Sequence, residues 1–219
     1  MISNPFRKTN ADGTLEVVPS FIVAGYLTAI VFFTIWIVSA AIDGHWVFGW
    51  NALSDLGVGK DSMARIFFNY GCVITAFCGG IFGMGLIKYE RGCLYLSGIM
   101  VVIGIVFLMG VGAIPESYGA PHGACASTFG GFACIGMVLS TIGDFRAGRR
   151  NYSLIAVILL LISLGLQLSM LAFGLEFGYA EAICIINILI WVLSQSIKYH
   201  KLIGTITIDD PIRKIFDNL

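Results

Sequence analysis

Charged residues are scarce in this sequence. Only 12% of its 219 residues are Asp, Glu, Lys or Arg, whereas 58% are hydrophobic. Soluble globular domains carry about 25% charged residues, and one soluble core of this length cannot bury so much apolar surface. The composition therefore argues against an ordinary soluble domain and indicates a protein whose apolar side chains face lipid.

Several signatures of function are also missing. The 13 Lys and Arg residues balance the 13 Asp and Glu residues, so the net charge is zero and no nucleic-acid partner is indicated. The sequence contains no glycine-rich phosphate loop, HExxH motif or C-x-x-C pair, and no cofactor is predicted. The partner that the composition does indicate is membrane lipid.

Six apolar segments are long enough to cross the hydrocarbon core of a bilayer, which takes about 20 residues. They lie at about 21–42, 64–87, 92–114, 122–142, 152–173 and 179–197. The first exceeds the apolar core of a signal peptide, so we expect it to be retained as a helix. The sequence predicts an all-α polytopic membrane bundle of six transmembrane helices over residues 1–201, followed by a tail at 202–219.

The distribution of positive charge predicts the orientation of this bundle. Six spans place both termini on one side of the membrane. All Lys and Arg residues except Lys60 and Arg65 then fall on that side. Because cytoplasmic loops are enriched in Lys and Arg, we predict a multi-pass protein of the cell membrane with cytoplasmic termini and a cytoplasmic tail.

Chemically capable side chains concentrate in two connections on the opposite, outer side. The first contains the run Asn51-Ala52-Leu53-Ser54-Asp55-Leu56-Gly57, and the second contains Pro115, Glu116 and His122. Polar groups at membrane depth are costly unless partnered, so they usually face the bundle interior. We therefore expect an outward-opening polar pocket whose ligand-binding residues are Asn51, Asp55, Asn69, Glu116 and His122.

The same residues carry a resemblance to a known family. The run Asn51–Gly57, the pair Phe68-Asn69, the run Ile114-Pro115-Glu116, and His122-Gly123 with Ser127 resemble the archaeal and bacterial membrane family filed as domain of unknown function 998 (DUF998). The resemblance extends from the first span through the sixth. It implies six spans and no established activity, so it assigns no catalytic role.

Three activities are compatible with the expected pocket. Asp55 and His122 could form an acid–base pair, with Ser54 or a water molecule as the nucleophile. Asp55, Glu116 and His122 could instead hold a metal ion that activates water, although zinc favours more histidine than the outer side offers. Alternatively, the pocket could bind a lipid headgroup or an apolar ligand without chemistry.

A purely structural interpretation is favoured over catalysis. Asn, Ser and Asp are turn and cap formers, so Asp55 could bond its own loop and His122 could tie the second loop to it. Gln167 and Asn187 are expected to form interhelical hydrogen bonds, as is Asn69. Glu181, at the outer start of the sixth helix, is expected to be solvated.

The leading hypothesis is an integral membrane protein that binds or modifies a lipid or other amphiphilic small molecule at the outer leaflet. One alternative is a non-catalytic subunit or assembly factor of a membrane protein complex, with other membrane subunits as partners. A small-molecule transporter is the other, although no clearly broken helices of the kind that bind transported substrates are evident.

Two expectations concern packing. Small residues at 123–127 and at Gly130 and Gly131 predict that the fourth helix lies centrally, because small side chains let helix backbones approach closely in lipid. We also expect Asp55 to contact the Pro115–His122 loop directly or through one water. That contact requires the second, third and fourth helices to be neighbours.

The predicted orientation can be tested by cysteine accessibility. A membrane-impermeant thiol reagent applied to intact cells should label a cysteine placed at Ser117 and not one placed at Gly148, because the two positions lie on opposite sides of the membrane. The reverse labelling pattern would overturn the predicted orientation.

Overall fold

The computed structural model describes residues 7–9, 15–204 and 206–208. Six helices within these residues are long and apolar enough to cross a membrane, which confirms the predicted six-helix bundle. Their orientation in the membrane remains a prediction. The helices are α1 (Ser20–Asp43), α2 (Ser62–Tyr89), α3 (Gly92–Ala113), α4 (Ala120–Arg146), α5 (Arg150–Phe173) and α6 (Phe177–Ile203).

Three short strands accompany the helices and go beyond the predicted all-α class. They are β1 (Arg7–Thr9), β2 (Leu15–Val17) and β3 (Ile206–Ile208), and they form an antiparallel sheet in the order β1-β2-β3. The sheet joins the segment before α1 to the segment after α6, so both lie at one end of the bundle. We call this the terminal end, and we call the opposite end, which carries the 44–61 and 114–119 connections, the loop end.

Each helix packs against its neighbours in sequence, and α6 returns to pack against α1. The expectation that α2, α3 and α4 are neighbours is therefore confirmed. Helix α5 is the most peripheral, since its only buried residues are Ser153, Ala156 and Leu159. An apolar cavity of about 40 Å³ lies inside the bundle, where side chains such as Phe82, Leu108 and Trp191 line it.

Close approach between helices occurs at glycines, and between α2 and α3 a glycine faces backbone atoms of the neighbouring helix. A methyl group on Gly98 would lie 2.9 Å from the carbonyl oxygen of Gly83 and 2.9 Å from the amide nitrogen of Ile87. Backbone atoms cannot move aside as a flexible side chain can, so this crossing accepts only glycine at position 98. The crossing fixes how deeply α2 and α3 interlock.

The predicted central position of α4 is wrong. Methyl groups added at Gly123, Gly130 or Gly131 would meet nothing within 4 Å among the described residues. Helix α4 instead buries a single stripe that includes Gly136 and Gly143. Small residues permit close contact but do not require it, so their abundance in a helix does not determine its position in the bundle.

At the terminal end, a buried network of charges joins the helices. The ammonium of Lys198 on α6 lies 2.8 Å from the carboxylate of Asp144 on α4, and neither side chain is exposed. Gln195 donates a hydrogen bond to the same carboxylate at 3.1 Å. Arg149 lies 3.6 Å from Asp144 and 2.7 Å from Glu90, which lies in the turn between α2 and α3. The network thus links α4, α6 and two turns.

The glycine packing predicts opposite outcomes for one substitution at two sites. Gly98→Ala should destabilise the bundle by about 1–3 kcal/mol, because the new methyl group overlaps backbone atoms of α2. Gly130→Ala should be neutral or stabilising by up to about 1 kcal/mol, because alanine favours the helix and the site is open. Unfolding of both variants in detergent measures the difference, and equal losses would show that the Gly83–Gly98 crossing is not tight.

Candidate functional site

The connection between α1 and α2 is held in shape by its own polar groups. The Asp43 carboxylate accepts hydrogen bonds from the backbone N–H groups of His45 and Trp46, at 3.2 and 3.0 Å. The Trp46 indole donates to the carbonyl oxygen of Ala52 at 2.7 Å. A 3-10 turn, Ser54–Gly57, follows and leads towards α2. His45 lies at the start of this loop, where its backbone N–H and ring Nδ1 both bond to Asp43.

Asp55 is bonded mainly within this loop. One oxygen of its carboxylate accepts hydrogen bonds from the Asn51 side-chain amide at 3.1 Å and from the Ala52 N–H at 2.9 Å. The side-chain oxygen Oδ1 of Asn51 in turn accepts a hydrogen bond from the Val47 N–H at 2.9 Å. This is the loop-organising arrangement expected of Asn and Asp in turns, and it agrees with the structural interpretation of both residues.

Glu181 also belongs to this loop, contrary to the expectation that it is solvated. Its carboxylate is half-buried and accepts a 2.6 Å hydrogen bond from the Leu53 N–H. Glu181 is close enough to Asp55 and Glu116 to experience both charges. The residue could not be placed from sequence, because 128 positions separate it from its partner Leu53.

Glu116 is the point where the two loops meet. Burial raises the pKa of its carboxyl, and the nearby charge of Asp55 raises it further, whereas Ser54 and His122 act in the opposite direction. The turns Ser54–Gly57 and Glu116–Tyr118 contact each other, so the two loops do meet. Among the hydrogen bonds of the described residues, none joins the Asp55 carboxylate to the Pro115–His122 loop.

His122 is 5% exposed, and its ring orientation is fixed by one hydrogen bond. Its Nδ1 lies 2.7 Å from the carbonyl oxygen of Ile114, which can only accept. Nδ1 must therefore carry the proton, which leaves a lone pair on Nε2 in the neutral ring. Within the described part of the chain, neither Nε2 of His122 nor Oε2 of Glu116 has a hydrogen-bond partner, and both atoms are buried.

The candidates for catalysis and metal binding do not assemble in the expected way. Among the hydrogen bonds of the described residues, none joins Ser54 or Asp55 to His122, so no nucleophile–base pair is formed in this state. The described residues also contain no group of three or more His, Cys, Asp or Glu side chains placed to hold a metal ion. Asp55, Glu116 and His122 are thus not arranged to hold a metal ion together.

Asn69 connects α2 to the 3-10 turn and also lines a surface groove. Its side-chain amide donates to the carbonyl oxygen of Gly57 at 3.1 Å. This bond runs from helix to loop, whereas the predicted one ran from helix to helix. Gln167 and Asn187 do bond between helices, to Cys184 and Ser163 respectively.

The groove has a volume of about 440 Å³ and opens between α2 and the two loops. Asp55, Glu116 and His122 lie outside its lining. Of the predicted ligand-binding residues, only Asn69 lines it. The lining residues are Gly57, Val58, Arg65, Ile66, Asn69, Tyr70, Pro115 and Ser117. Sequence reasoning missed Arg65, Tyr70 and Ser117, although Arg65 was already distinct as one of two cations predicted on its side of the membrane.

Comparison with known proteins gives one match. The family model described as "Protein of unknown function (DUF998)" matches residues 26–197, which include most of α1 through most of α6. No curated protein and no solved structure matches the chain.

The raised pKa of Glu116 predicts a pH dependence of stability. Folding favours the protonated carboxyl, so its contribution is fully present below the ordinary pKa of 4.5 and is lost as the pH rises through the higher folded value. Glu116→Gln removes this titration. The stability of the wild type relative to this variant should fall as the pH rises from 4.5 through the higher folded pKa, as measured by thermal unfolding in detergent.

Glu176→Gln is the matched control, because Glu176 is an exposed carboxylate at the same end of the bundle. It should follow the wild type across the same range. Parallel curves for the wild type and Glu116→Gln would show that Glu116 has an ordinary pKa.

Proposed function

The chain belongs to the DUF998 family of membrane proteins of unknown function, and we propose that it binds a lipid or similar amphiphilic molecule at the loop end of the bundle. The polar head occupies the groove beside the 3-10 turn, and the apolar chain lies along α2. The observation that carries this proposal is a groove that combines polar and apolar lining residues and opens directly onto an exposed apolar helix face.

The groove suits a headgroup in size and lining. Its volume of about 440 Å³ lies within the range of small-molecule sites, about 300–1,000 Å³. The guanidinium of Arg65, the amide of Asn69 and the hydroxyls of Tyr70 and Ser117 offer hydrogen bonds. Apolar residues on the same wall leave room for the part of the molecule where head and chain join.

An apolar track continues from the groove along α2. Ile66 and Tyr70 line the groove and are 48% and 67% exposed. Ile74 and Phe77 follow at helical spacing and are 52% and 61% exposed. Residues three or four apart lie on one helix face, so these four side chains form a continuous strip. A bound chain would cover this strip while its head stays in the groove.

The groove walls are held before any ligand arrives. Asn69 fixes Gly57 on one side through a 3.1 Å hydrogen bond. Arg65 donates to the carbonyl oxygen of Gly59 at 2.7 Å, which fixes the same loop further along. A site whose walls are already ordered loses less conformational entropy on binding.

Binding is supported better than chemistry. Asp55 is engaged by Asn51 and Ala52, and the acidic cluster with His122 lies behind the groove wall and not in its lining. The cluster stabilises the loops that form the wall. Neither Asp55 nor His122, the predicted acid–base pair, lines the groove, so a lipid bound there would not meet that pair in this conformation.

Filling the groove tests the proposal. Ser117→Trp should sharply reduce the amount of lipid retained by the purified protein, because the indole occupies the headgroup space. Tyr118→Trp is the matched control, since Tyr118 is exposed on the same turn but does not line the groove. Lipid is quantified by mass spectrometry after purification in detergent. Equal retention by the two folded variants would exclude the groove as the binding site.

A further inference from the structure

We propose that the head group recognised in the groove is a phosphate, and that Arg65 is the residue that recognises it. This inference rests on the proposed function and specifies the chemistry of the ligand. Among the described residues that line the groove, Arg65 is the only charged one, and none is a carboxylate. The polar lining is rich in donors, which suits an anion with several acceptor oxygens.

The Arg65 guanidinium is oriented but not neutralised. Its Nη1 donates to the carbonyl oxygens of Gly59 and Lys60, at 2.7 and 3.2 Å. The hydrogen bonds found among the described residues use no other nitrogen of this side chain. A guanidinium has five N–H groups, so the edge formed by Nε and Nη2 is left for a ligand. That edge provides the parallel pair of donors that matches two phosphate oxygens.

No carboxylate of the described residues forms an ion pair with Arg65. The ion pairs found within the described residues all lie at the terminal end and involve Arg149 or Lys198. Asp61, one helical turn before Arg65, accepts hydrogen bonds from the N–H groups of Met63 and Ala64. Glu116 lies between the lining residues Pro115 and Ser117 but does not itself line the groove. A cation that lacks a protein counter-ion and stands beside an apolar strip fits an anion carried on an apolar chain.

The strip also indicates the source of the phosphate. Ile66 and Tyr70 belong both to the groove lining and to the exposed face of α2. A free phosphate would use Arg65 and leave this strip uncovered, whereas a phospholipid uses both. We therefore assign the site to a phospholipid, with free phosphate as the competing source of the same chemistry.

The experiment compares lipids that share acyl chains but differ in the head. The purified protein is titrated with phosphatidylglycerol and with diacylglycerol, and binding is followed by native mass spectrometry. Glycerol phosphate, which has the phosphate without the chains, is tested by thermal shift. We expect phosphatidylglycerol to bind about tenfold or more tightly than diacylglycerol, which corresponds to one charge-assisted interaction, and glycerol phosphate to bind much more weakly.

Arg65→Gln should abolish the preference for phosphatidylglycerol over diacylglycerol. Lys60→Gln is the control, because Lys60 is the neighbouring cation, its side chain is exposed and it does not line the groove. That variant should keep the preference. The comparison of lipids on the wild type decides the question even if Arg65→Gln does not fold.

The outcomes separate the two proposals. Equal binding of phosphatidylglycerol and diacylglycerol, or a preference retained in folded Arg65→Gln, would overturn phosphate recognition and leave amphiphile binding intact. Glycerol phosphate binding as tightly as the lipid would replace the phospholipid with a soluble phosphate compound. Failure of every lipid to bind would overturn both proposals.

Discussion

Lipid offers no hydrogen bonds, so the polar groups of a membrane-spanning bundle must find partners within the protein. The two ends of this bundle meet that constraint differently. At the terminal end, Lys198, Asp144 and Gln195 satisfy one another out of contact with solvent, and Arg149 joins them to Glu90. Removing one member of such a pair would leave an uncompensated buried charge and destabilise the protein. We therefore assign this network a structural role.

At the loop end, pairing is incomplete. Asp55, Asn51 and Glu181 are bonded to loop backbone, yet Arg65 has no carboxylate partner among the described residues, and Nε2 of His122 lacks a hydrogen bond there. Among the described residues, buried polar groups without a hydrogen-bond partner also occur at the terminal end, as at the Tyr199 hydroxyl. The position of Arg65 in the groove lining is therefore the physical basis for proposing ligand binding at the loop end.

The packing of α3 against α2 positions one wall of the groove. A methyl group on Gly112 of α3 would lie only 2.4 Å from the carbonyl oxygen of Asn69, so α3 touches the α2 backbone at the level of the groove. Asn69 then holds Gly57, and Gly57 forms part of the groove wall. The close packing at Gly112 thus positions Asn69, and Asn69 in turn positions the part of the groove wall that contains Gly57.

The sequence was sufficient for some of these features and not for others. Apolar run length predicted all six helices, because span length follows directly from bilayer thickness. It also predicted that the two polar loops meet, since both return to one side. The pairing of Asp144 with Lys198 could not be predicted, because both residues look like ordinary charges at helix ends. The position of α4 was predicted wrongly from small residues, which allow contacts without specifying them.

The groove was missed for a similar reason. Its shape depends on how the 3-10 turn folds against α2, and no periodicity in the sequence records that. From the sequence, Arg65 was notable only as one of two cations predicted on its side of the membrane. Its side chain is oriented by hydrogen bonds to the carbonyl oxygens of Gly59 and Lys60, which the sequence does not predict. Asn51, Asp55, Glu116 and His122 were predicted to bind ligand because their side chains are polar or titratable. None of the four lines the groove.

The most direct test of lipid binding in the groove is photo-crosslinking from a defined position. A photoreactive phenylalanine analogue is placed at Tyr70, which lines the groove, and, in a second protein, at Leu164, which is exposed on α5, away from the groove. After purification in detergent and irradiation, mass spectrometry should find a phospholipid adduct at position 70 and little at position 164. Equal adducts at both positions, or none at position 70, would contradict a specific lipid site in the groove.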